Sequence, residues 1–189
     1  MEAGFPDMVK VTNIKTTYEG RQIKLVHVSL DLAETSKQPA IFIDCGIHAR
    51  EWVSPAFCLY TLNRLVDEGW WGLLYYFDVY MIPVANPDGY AYTWTTTDHK
   101  LMTPWGRKAI HRFWRKNRRQ TSTKSETLVN NSTKFSLPRF NIKEFWCVGI
   151  DLNRNFDISF GGTSSNDPCS NVYHGTGPFS EPETQAKYS

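Results

Sequence analysis

Between residues 40 and 68, an apolar run, a tight turn and a helical pattern follow one another directly. Residues 40–44 are nearly all apolar, which predicts a strand covered on both faces of a sheet. Gly46 suits a sharp turn, because glycine has no β-carbon to clash. The apolar spacing then predicts a helix from Pro55 to about Glu68, with Gly69 as a natural C-cap. A strand that leads through a short turn into a helix favours an α/β fold.

The remaining pattern extends the same architecture. Residues 23–28 alternate with period two after a turn at 18–20, which predicts a half-buried strand. Residues 77–84 predict a further strand, closed by the turn residues of 86–89 (Asn-Pro-Asp-Gly). Residues 180–183 predict a helix start, with Ser180 as the N-cap. We therefore expect a three-layer α/β fold with a mixed, largely parallel sheet between helices, incomplete at the C-terminal side.

The composition is that of one globular domain. Hydrophobic residues make up 41% of the 189 residues and aromatic residues 14%, enough for a buried core. The net charge is only +2, and no apolar run reaches the ~18–20 residues that span a bilayer. Neither nucleic-acid binding nor a membrane span is therefore expected. The basic, aromatic-rich segment 111–119 supports the alternative of a nucleic-acid binder with steep salt dependence.

A polar stretch interrupts the second half of the chain. Residues 119–146 are rich in polar side chains, and a structureless connection of that length is unusual in a compact domain. We predict a flexible insertion over 119–146 within a domain that spans residues 1–189. Asn130 and Asn131 begin overlapping Asn-x-Ser/Thr sequences and are candidate glycosylation sites.

Two residues in the turn after the first apolar run have the chemistry of metal ligands. His48 and Glu51 lie three residues apart in the segment 46–52 (Gly-Ile-His-Ala-Arg-Glu-Trp). A neutral imidazole and a carboxylate are both zinc ligands, and a catalytic zinc takes three protein ligands with one position left for water. His-x-x-Glu alone also fits a solvated surface loop, so its interpretation depends on the surrounding motifs.

Five motifs occur in an order that chance does not readily produce. They are 46–52, 86–90 (Asn-Pro-Asp-Gly-Tyr), 113–118 (Phe-Trp-Arg-Lys-Asn-Arg), 149–156 (Gly-Ile-Asp-Leu-Asn-Arg-Asn-Phe) and 173–175 (Tyr-His-Gly). With these motifs the chain resembles the A/B-type zinc metallocarboxypeptidases over nearly all of its length. The sequence contains no His-Glu-x-x-His motif, which marks a different class of metallopeptidase.

The resemblance implies a zinc site and a carboxylate that orients it. His48 and Glu51 would bind Zn²⁺, and Asp151 would accept a hydrogen bond from the His48 ring. Carboxylates that fix the tautomer of a ligand imidazole are common at zinc sites, which supports this role for Asp151.

The resemblance also implies the substrate contacts. Arg115 would polarise the scissile carbonyl and stabilise the oxyanion. Asn153 and Arg154 would hold the terminal carboxylate, and Arg50 would touch the substrate further along its chain. A guanidinium fork matches the planar carboxylate of a peptide C-terminus. Without the His-Glu pair, residues 151–155 would be interpreted as a polar loop with no ligand.

The four cysteines fall into two pairs by the same resemblance. Cys147 and Cys169 match a disulfide found across the family, and Cys45 and Cys58 resemble a second bridge of its B-type members. Four reduced core thiols are the alternative, because two of these cysteines lie in apolar segments. The glycosylation sequences and the family favour an oxidising compartment, so the resemblance implies a secreted protein.

Some family residues have no counterpart. The resemblance requires a zinc-binding histidine and a general-base glutamate beyond the 180–184 helix start, and the sequence ends at Ser189 before either. The other histidines do not stand where the third ligand is required: His27, His99, His111 and His174. No signal peptide is recognised at the N-terminus. We expect a partial catalytic domain, truncated at both ends, that is marginally stable or unfolded by itself.

The leading functional hypothesis is a zinc-dependent exopeptidase. It would release a single amino acid from the C-terminus of a peptide or protein. The alternative is a catalytically inactive truncated isoform that acts at most as a peptide-binding or interaction fragment. In either case the expected partner is a peptide C-terminus, and the folded chain is expected to be a monomer.

Overall fold

The computed structural model describes residues 2–32, 38–67, 71–95, 111–125 and 145–188. The strands are β1 (Val9–Thr16), β2 (Gln22–Val28), β3 (Ala40–Asp44), β4 (Asp78–Ile82), β5 (Gln120–Ser125) and β6 (Phe145–Val148). The helices are α1 (Val53–Asp67), α2 (Trp71–Leu74), α3 (Pro87–Trp94) and α4 (Pro182–Gln185). Two short 3-10 helices are η1 (Glu2–Gly4) and η2 (Leu152–Arg154).

Four strands form one mixed sheet in the order β1-β2-β4-β3. β1 pairs antiparallel with β2, and β2 pairs antiparallel with β4. β3 pairs parallel with β4, with Ile41 beside Val79, and α1 supplies the crossover that a parallel pair needs. The predicted α/β fold with a mixed sheet is confirmed. In the described part of this sheet, one strand pairing of three is parallel.

Helix α1 covers one face of the sheet. Its buried residues Cys58, Leu62 and Leu65 recur every three to four positions, which places them on one side of the helix. They pack in one apolar cluster with Val79 and Met81 of β4 and with buried valines of β1 and β2. Burying such a side chain stabilises the fold by about 1.5–3 kcal/mol relative to leaving it exposed. This cluster fixes α1 and, with it, the turn that precedes the helix.

The opposite face of the sheet has its own buried residues. Ile23 of β2, Ile82 of β4 and Ala85 are buried there. Ala186, directly after α4, packs against them, and α4 also contacts β1. The sheet is therefore covered on both faces by other parts of the chain, as a three-layer fold requires.

Strand β3 differs from its prediction in burial. It forms over Ala40–Asp44 as predicted, but it lies at the edge of the described sheet, and its residues alternate between half-buried and exposed. Ile43 packs against the α1 cluster, whereas Phe42 is 49% exposed. The prediction of a strand covered on both faces is wrong for the described residues, because apolar composition alone does not reveal which strand lies at an edge.

The segment 86–89 begins a helix and is not a turn that closes β4. Asn86 caps α3, and its side-chain Oδ1 accepts a hydrogen bond from the N–H of Gly89 at 2.9 Å. Pro87 is the first helical residue, where a missing N–H costs nothing. The turn prediction is wrong because Asn, Pro and Asp serve helix N-termini as well as turns.

Several predicted boundaries shift in the structure. Helix α1 begins at Val53, two residues before the predicted start, and its predicted cap Gly69 lies outside the described residues. Helix α4 is capped by Glu181, which makes no capping hydrogen bond with its side chain, so the prediction of Ser180 as N-cap is wrong. Ser180 Oγ instead donates to Glu181 Oε1 at 2.9 Å.

The two ends of the predicted insertion over 119–146 are strands. β5 pairs antiparallel with β6, with Gln120 opposite Val148, so the stretch is not structureless at either end. Residues 126–144 lie outside the described residues, and so do the glycosylation candidates Asn130 and Asn131.

Candidate metal and substrate site

The turn after β3 is held from two sides. Gly46 adopts φ +68°, and a β-carbon there would lie 3.0 Å from Pro55 Cγ. The N–H of Asn86 donates to Gly46 O at 3.1 Å, and the N–H of Ala49 donates to Arg115 O at 3.1 Å. The turn is therefore fixed both to the start of α3 and to the segment that carries Arg115. Because β3 and β4 are parallel, the loops that follow them meet at the same edge of the sheet.

Aromatic stacking holds the end of the same turn. Trp52 stacks on Trp94 of α3 with ring centroids 3.9 Å apart, and its indole N–H donates to Thr93 Oγ1. The Arg112 guanidinium lies 3.8 Å from the centroid of the Trp52 ring and donates to Arg50 O at 2.7 Å. Sequence reasoning misses Arg112, because its partner Arg50 is 62 positions away and no motif links them.

The potential metal-binding atoms of His48 and Glu51 point towards each other. His48 Nδ1 and Glu51 Oε1 are 3.0 Å apart. His48 is buried, whereas the Glu51 side chain is 47% exposed, so solvent reaches the pair from the glutamate side. An imidazole nitrogen and a carboxylate oxygen that converge in this way fit two positions of a zinc site.

Asp151 lies between His48 and Arg115. Asp151 Oδ1 is 3.2 Å from His48 Nε2, at an angle outside hydrogen-bond geometry. Oδ2 accepts from Arg115 Nε at 3.1 Å and from Nη2 at 3.0 Å. Burial acts to raise the pKa of Asp151, but the adjacent His48 ring and the Arg115 charge outweigh it and hold this pKa below its usual value. Asp151 is therefore an ionised, buried carboxylate at neutral pH.

Arg115 and Arg50 approach the ligand pair differently. Arg115 is largely buried, and its Nη1 lies 3.9 Å from Glu51 Oε1. Arg50 stands between the two ligand residues in sequence and is half-buried. The structure thus brings Arg115, His48, Glu51 and Asp151 together, whereas Arg50 is placed beside them by the chain alone.

The predicted carboxylate contacts follow Asp151 in η2. The N–H of Asn153 donates to Asp151 Oδ1 at 3.2 Å, which closes the turn. Arg154 is half-buried, and its Nη1 donates to Asn153 O at 3.0 Å. Arg154 Nε is buried and, within the described part of the chain, has no hydrogen-bond partner. The part of this half-buried guanidinium that is exposed is open to an anion, whereas Nε itself is not.

Both predicted disulfides are present, so the alternative of reduced thiols is wrong. The Cys45–Cys58 bridge joins Cα atoms 6.2 Å apart and encloses the turn with His48 and Glu51. The Cys147–Cys169 bridge joins Cα atoms 4.7 Å apart and encloses the Asp151–Arg154 turn. The metal-ligand turn and the Asp151–Arg154 turn therefore each lie inside a covalently closed loop, and Arg115 lies outside both.

The part of the chain that the structure describes places no third ligand near the His48–Glu51 pair. Among the described residues, no group of three His, Cys, Asp or Glu side chains is arranged to hold a metal ion. His27 stacks on Tyr80, and His111 contacts the Tyr92 hydroxyl. His174 contacts Gly175 O and Asn166 Oδ1. His99 lies outside the described residues.

Comparison with known proteins settles the family. Residues 1–189 match the family model for zinc carboxypeptidases. The chain belongs to the zinc carboxypeptidase family. The prediction of a metallocarboxypeptidase, made from five short motifs, is confirmed at the level of the family.

The relatives of the chain include carboxypeptidases named A and B. The chain is 38% identical over 183 residues to carboxypeptidase B of Helicoverpa zea. The aligned region covers 96% of this chain and 35% of the relative. It is also 37% identical over 193 residues to carboxypeptidase B2 of Bos taurus. That aligned region covers 98% of this chain and 37% of the relative. The chain thus spans about a third of the length of the curated relatives it matches.

Solved structures of two other proteins share the fold. Carboxypeptidase A from Helicoverpa armigera matches with a TM-score of 0.74 and 32% identity, over 99% of this chain and 38% of that one. Bovine thrombin-activatable fibrinolysis inhibitor, in complex with tick carboxypeptidase inhibitor, matches with a TM-score of 0.70 and 37% identity, over 99% of this chain and 50% of that one.

Within the described ranges, no helix is long and apolar enough to cross a bilayer.

Proposed function

We propose that this chain carries part of the active site of a metallocarboxypeptidase that releases a single amino acid from the C-terminus of a peptide or protein. The observation that carries the proposal is the convergence of His48 Nδ1 and Glu51 Oε1, 3.0 Å apart, beside the Asp151–Arg115 pair. Membership of the zinc carboxypeptidase family supports the same chemistry.

His48 and Glu51 hold Zn²⁺ in this proposal. Asp151 faces the His48 ring from its Nε2 side, 3.2 Å away, and keeps the Nδ1 side turned towards Glu51. Zinc, when bound, supplies Lewis-acid polarisation of a carbonyl and lowers the pKa of a water molecule.

Arg115 stabilises negative charge that develops on the carbonyl oxygen of the substrate. Its Nε and Nη2 are committed to Asp151, which leaves Nη1 nearest to the ligand pair. A guanidinium that a buried carboxylate already holds in place needs little reorganisation at the moment of reaction.

Asn153 and Arg154 bind the terminal carboxylate of the substrate, and Arg50 contacts the peptide further from its end. Arg154 Nε has no hydrogen-bond partner among the described residues, and a planar carboxylate matches a guanidinium fork. Recognition of a free carboxylate next to the reacting bond restricts cleavage to chain ends. This restriction distinguishes an exopeptidase from an endopeptidase.

A second function, binding of peptide C-termini without hydrolysis, is favoured by one observation. In the described ranges, only two of the three ligands of a catalytic zinc site come together. The carboxylate contacts at Arg154 do not depend on the metal. A chain with this arrangement would still select peptides by their free C-terminus.

We also propose that the protein is secreted. Its four cysteines form two disulfides, and such bonds persist in oxidising compartments. Expression in an oxidising and in a reducing host, with quantification of free thiols, tests this proposal. Equal yields of folded protein with four free thiols would contradict it.

Hydrolysis and binding assays on the purified chain test the two functions. Blocked dipeptides with aromatic or basic C-terminal residues are incubated with added zinc and with a chelator, and binding of the same dipeptides and of their C-terminal amides is measured in parallel. Chelator-sensitive turnover supports the exopeptidase. Preference for the free acid without turnover supports the second function, and the absence of both turnover and preference contradicts both.

A further inference from the structure

A buried polar cluster lies behind the Asp151–Arg115 pair and has no part in the proposed chemistry. Its side chains belong to Asn117, Glu181 and Glu183, which are 0%, 0% and 1% exposed. The two glutamates stand at the start of α4. Because burying polar groups costs free energy unless hydrogen bonds compensate, their partners reveal what the cluster holds in place.

Asn117 fastens together the segments that carry Arg115 and Asp151. Its backbone N–H donates to Ile150 O at 3.1 Å, and the N–H of Ile150 donates to Asn117 Oδ1 at 2.8 Å. Gly149 lies so close that a β-carbon on it would be 2.3 Å from Asn117 O. Two hydrogen bonds thus join Asn117, two positions after Arg115, to Ile150, directly before Asp151.

The amide of Asn117 is held in turn by two carboxylates. Its Nδ2 donates to Glu181 Oε2 at 2.8 Å and to Glu183 Oε2 at 3.2 Å. Glu181 Oε1 accepts from Ser180 Oγ and lies 3.5 Å from Arg119 Nη1. Glu183 Oε1 is buried and has no hydrogen-bond partner within the described part of the chain.

Two carboxylates on one amide donor repel each other if both are ionised. The charged groups that face Glu183 are Glu181, Asp88 of α3 and, beyond Glu181, Arg119. Burial raises the pKa of Glu183 to about 7, and Glu181 and Asp88 act in the same direction against the hydrogen bond from Asn117. Glu183 therefore keeps its proton at mildly acidic pH and loses it above about pH 7.

We propose that Asn117 is a positioning residue that sets the placement of Arg115 against Asp151, and that the Glu181–Glu183 pair holds the Asn117 amide for this purpose. The inference rests on the proposed function, since the placement of Arg115 concerns a substrate. The first test below does not depend on that function. When both glutamates are ionised, their repulsion loosens the hold on Asn117.

The first test observes Arg115 directly. The Arg115 Nε–H donates to Asp151, so its NMR signal, assigned by its loss in Arg115→Lys, is protected from solvent exchange. Asn117→Ala is expected to reduce this protection about 10-fold, the equivalent of one buried hydrogen bond. Ser29→Ala, which removes the contacts of a buried hydroxyl with Asp31 at the far end of β2, leaves the protection unchanged. Full protection in a folded Asn117→Ala overturns the inference.

A pH series tests the glutamate pair, and it decides alone if Asn117→Ala does not fold. Protection of the Arg115 signal is expected to fall as pH rises through about 7 in the wild-type chain. Glu183→Gln keeps a neutral side chain of the same shape and removes this fall. Glu2→Gln, the same change at an exposed position outside the cluster, keeps it. A wild-type profile that is flat between pH 5.5 and 8.5, or one that is the same in Glu183→Gln, overturns the role of the pair.

Turnover links the cluster to function. Turnover of the blocked dipeptides is expected to fall about 10-fold in Asn117→Ala, the size of effect typical for groups that orient site residues. The preference for a dipeptide acid over its amide, which Arg154 carries, is expected to stay, and unchanged turnover in a folded Asn117→Ala overturns the inference. If the wild-type chain shows neither turnover nor preference for the acid, the proposed function fails, and the NMR result still decides whether Asn117 positions Arg115.

Discussion

The guanidinium of Arg154 has hydrogen-bond donors that the described part of the fold does not pair. Its Nη1 bonds only to the carbonyl of the preceding residue, and its buried Nε has no hydrogen-bond partner in the described ranges. The buried Nε without a partner costs free energy in the free protein. The exposed part of the half-buried guanidinium is the part that an anionic ligand would contact.

Replacement of Arg154 by alanine is expected to weaken binding of a dipeptide acid by about 10- to 100-fold, since a hydrogen bond to a charged group contributes about 1.5–3 kcal/mol. Binding of the corresponding amide should change little. Isothermal titration calorimetry measures both, with Lys10→Ala as an exposed cation far from the site. An equal loss for acid and amide would contradict carboxylate recognition by Arg154.

Lys116 is a buried lysine, and its titration makes the stability of the chain depend on pH in the alkaline range. It is 4% exposed, and its Nζ donates to Pro168 O at 2.8 Å. Burial lowers the pKa of Lys116 to about 8, although Asp167 and Asp151 act to raise it. In the unfolded chain this lysine keeps its proton until pH approaches 10.5.

Stability should therefore increase as pH rises from about 8 to 10.5, because the unfolded chain binds the proton that the folded chain has released. One proton corresponds to a slope of at most about 1.4 kcal/mol per pH unit. Lys116→Met is expected to remove this contribution. Urea unfolding at pH 7.5, 9 and 10.5 checks the difference between wild type and variant; parallel curves at all three values would show that burial does not shift the titration.

Single residues were predictable from the sequence where a motif carried them. His48, Glu51, Asp151 and Arg115 were expected to lie together, and the structure brings them together. Their roles in binding metal and substrate stay predictions. Arg112 was not predictable, because both of its contacts depend on tertiary packing and no spacing rule describes a cation placed over an aromatic ring.

The N-cap residue of helix α3 attaches the helix to the site, in addition to the Trp52–Trp94 stack. Asn86 caps the helix with Oδ1, and its Nδ2 donates to Ile47 O at 3.2 Å and to Lys116 O at 3.1 Å. One buried amide therefore joins the helix, the turn that carries the metal ligands and the segment that carries Arg115.

Asn86→Ala should destabilise the chain by about 2–4 kcal/mol, the sum of a lost cap and two lost buried hydrogen bonds. Asn86→Ser is the matched variant, because its hydroxyl keeps a capping acceptor and it loses the two amide donors without burying a charge. We expect a smaller loss for the serine variant in urea unfolding. Equal losses in the two variants would mean that the cap contributes nothing.

The pattern of apolar residues located most elements but not their surroundings. Period-two alternation found β2, and helical spacing found α1. The start of α3 was misassigned because Asn86 resembles a turn residue, and the contacts that decide its role lie 30 and more positions away. The exposure of Phe42 was unforeseen for a related reason: burial depends on neighbours that local composition does not specify.

Across the whole molecule, two covalent loops enclose the two turns of the candidate site. The Cys45–Cys58 bridge spans 13 positions around His48 and Glu51, and the Cys147–Cys169 bridge spans 22 positions around Asp151 and Arg154. In the chain-entropy description each bridge stabilises the folded state by about 3 kcal/mol.

Removal of each bridge should have a separate effect on binding. The double variant Cys45→Ala/Cys58→Ala is expected to lose zinc affinity, and Cys147→Ala/Cys169→Ala is expected to lose preference for a free C-terminal carboxylate. Chelator competition measures the first and calorimetry the second. Each double variant serves as the control for the other, and identical losses in both assays would show that the loops act only through overall stability.

The stacked indoles of Trp52 and Trp94 provide an intrinsic spectroscopic probe of the contact between the turn and helix α3. Two indoles with ring centroids 3.9 Å apart couple their excited states, and we expect a paired positive and negative band in circular dichroism where the two rings are rotated in plane relative to each other. One of them belongs to the turn with Glu51, and the other belongs to helix α3. The band therefore persists only while turn and helix remain docked, so the chain reports the state of its own site without any added label.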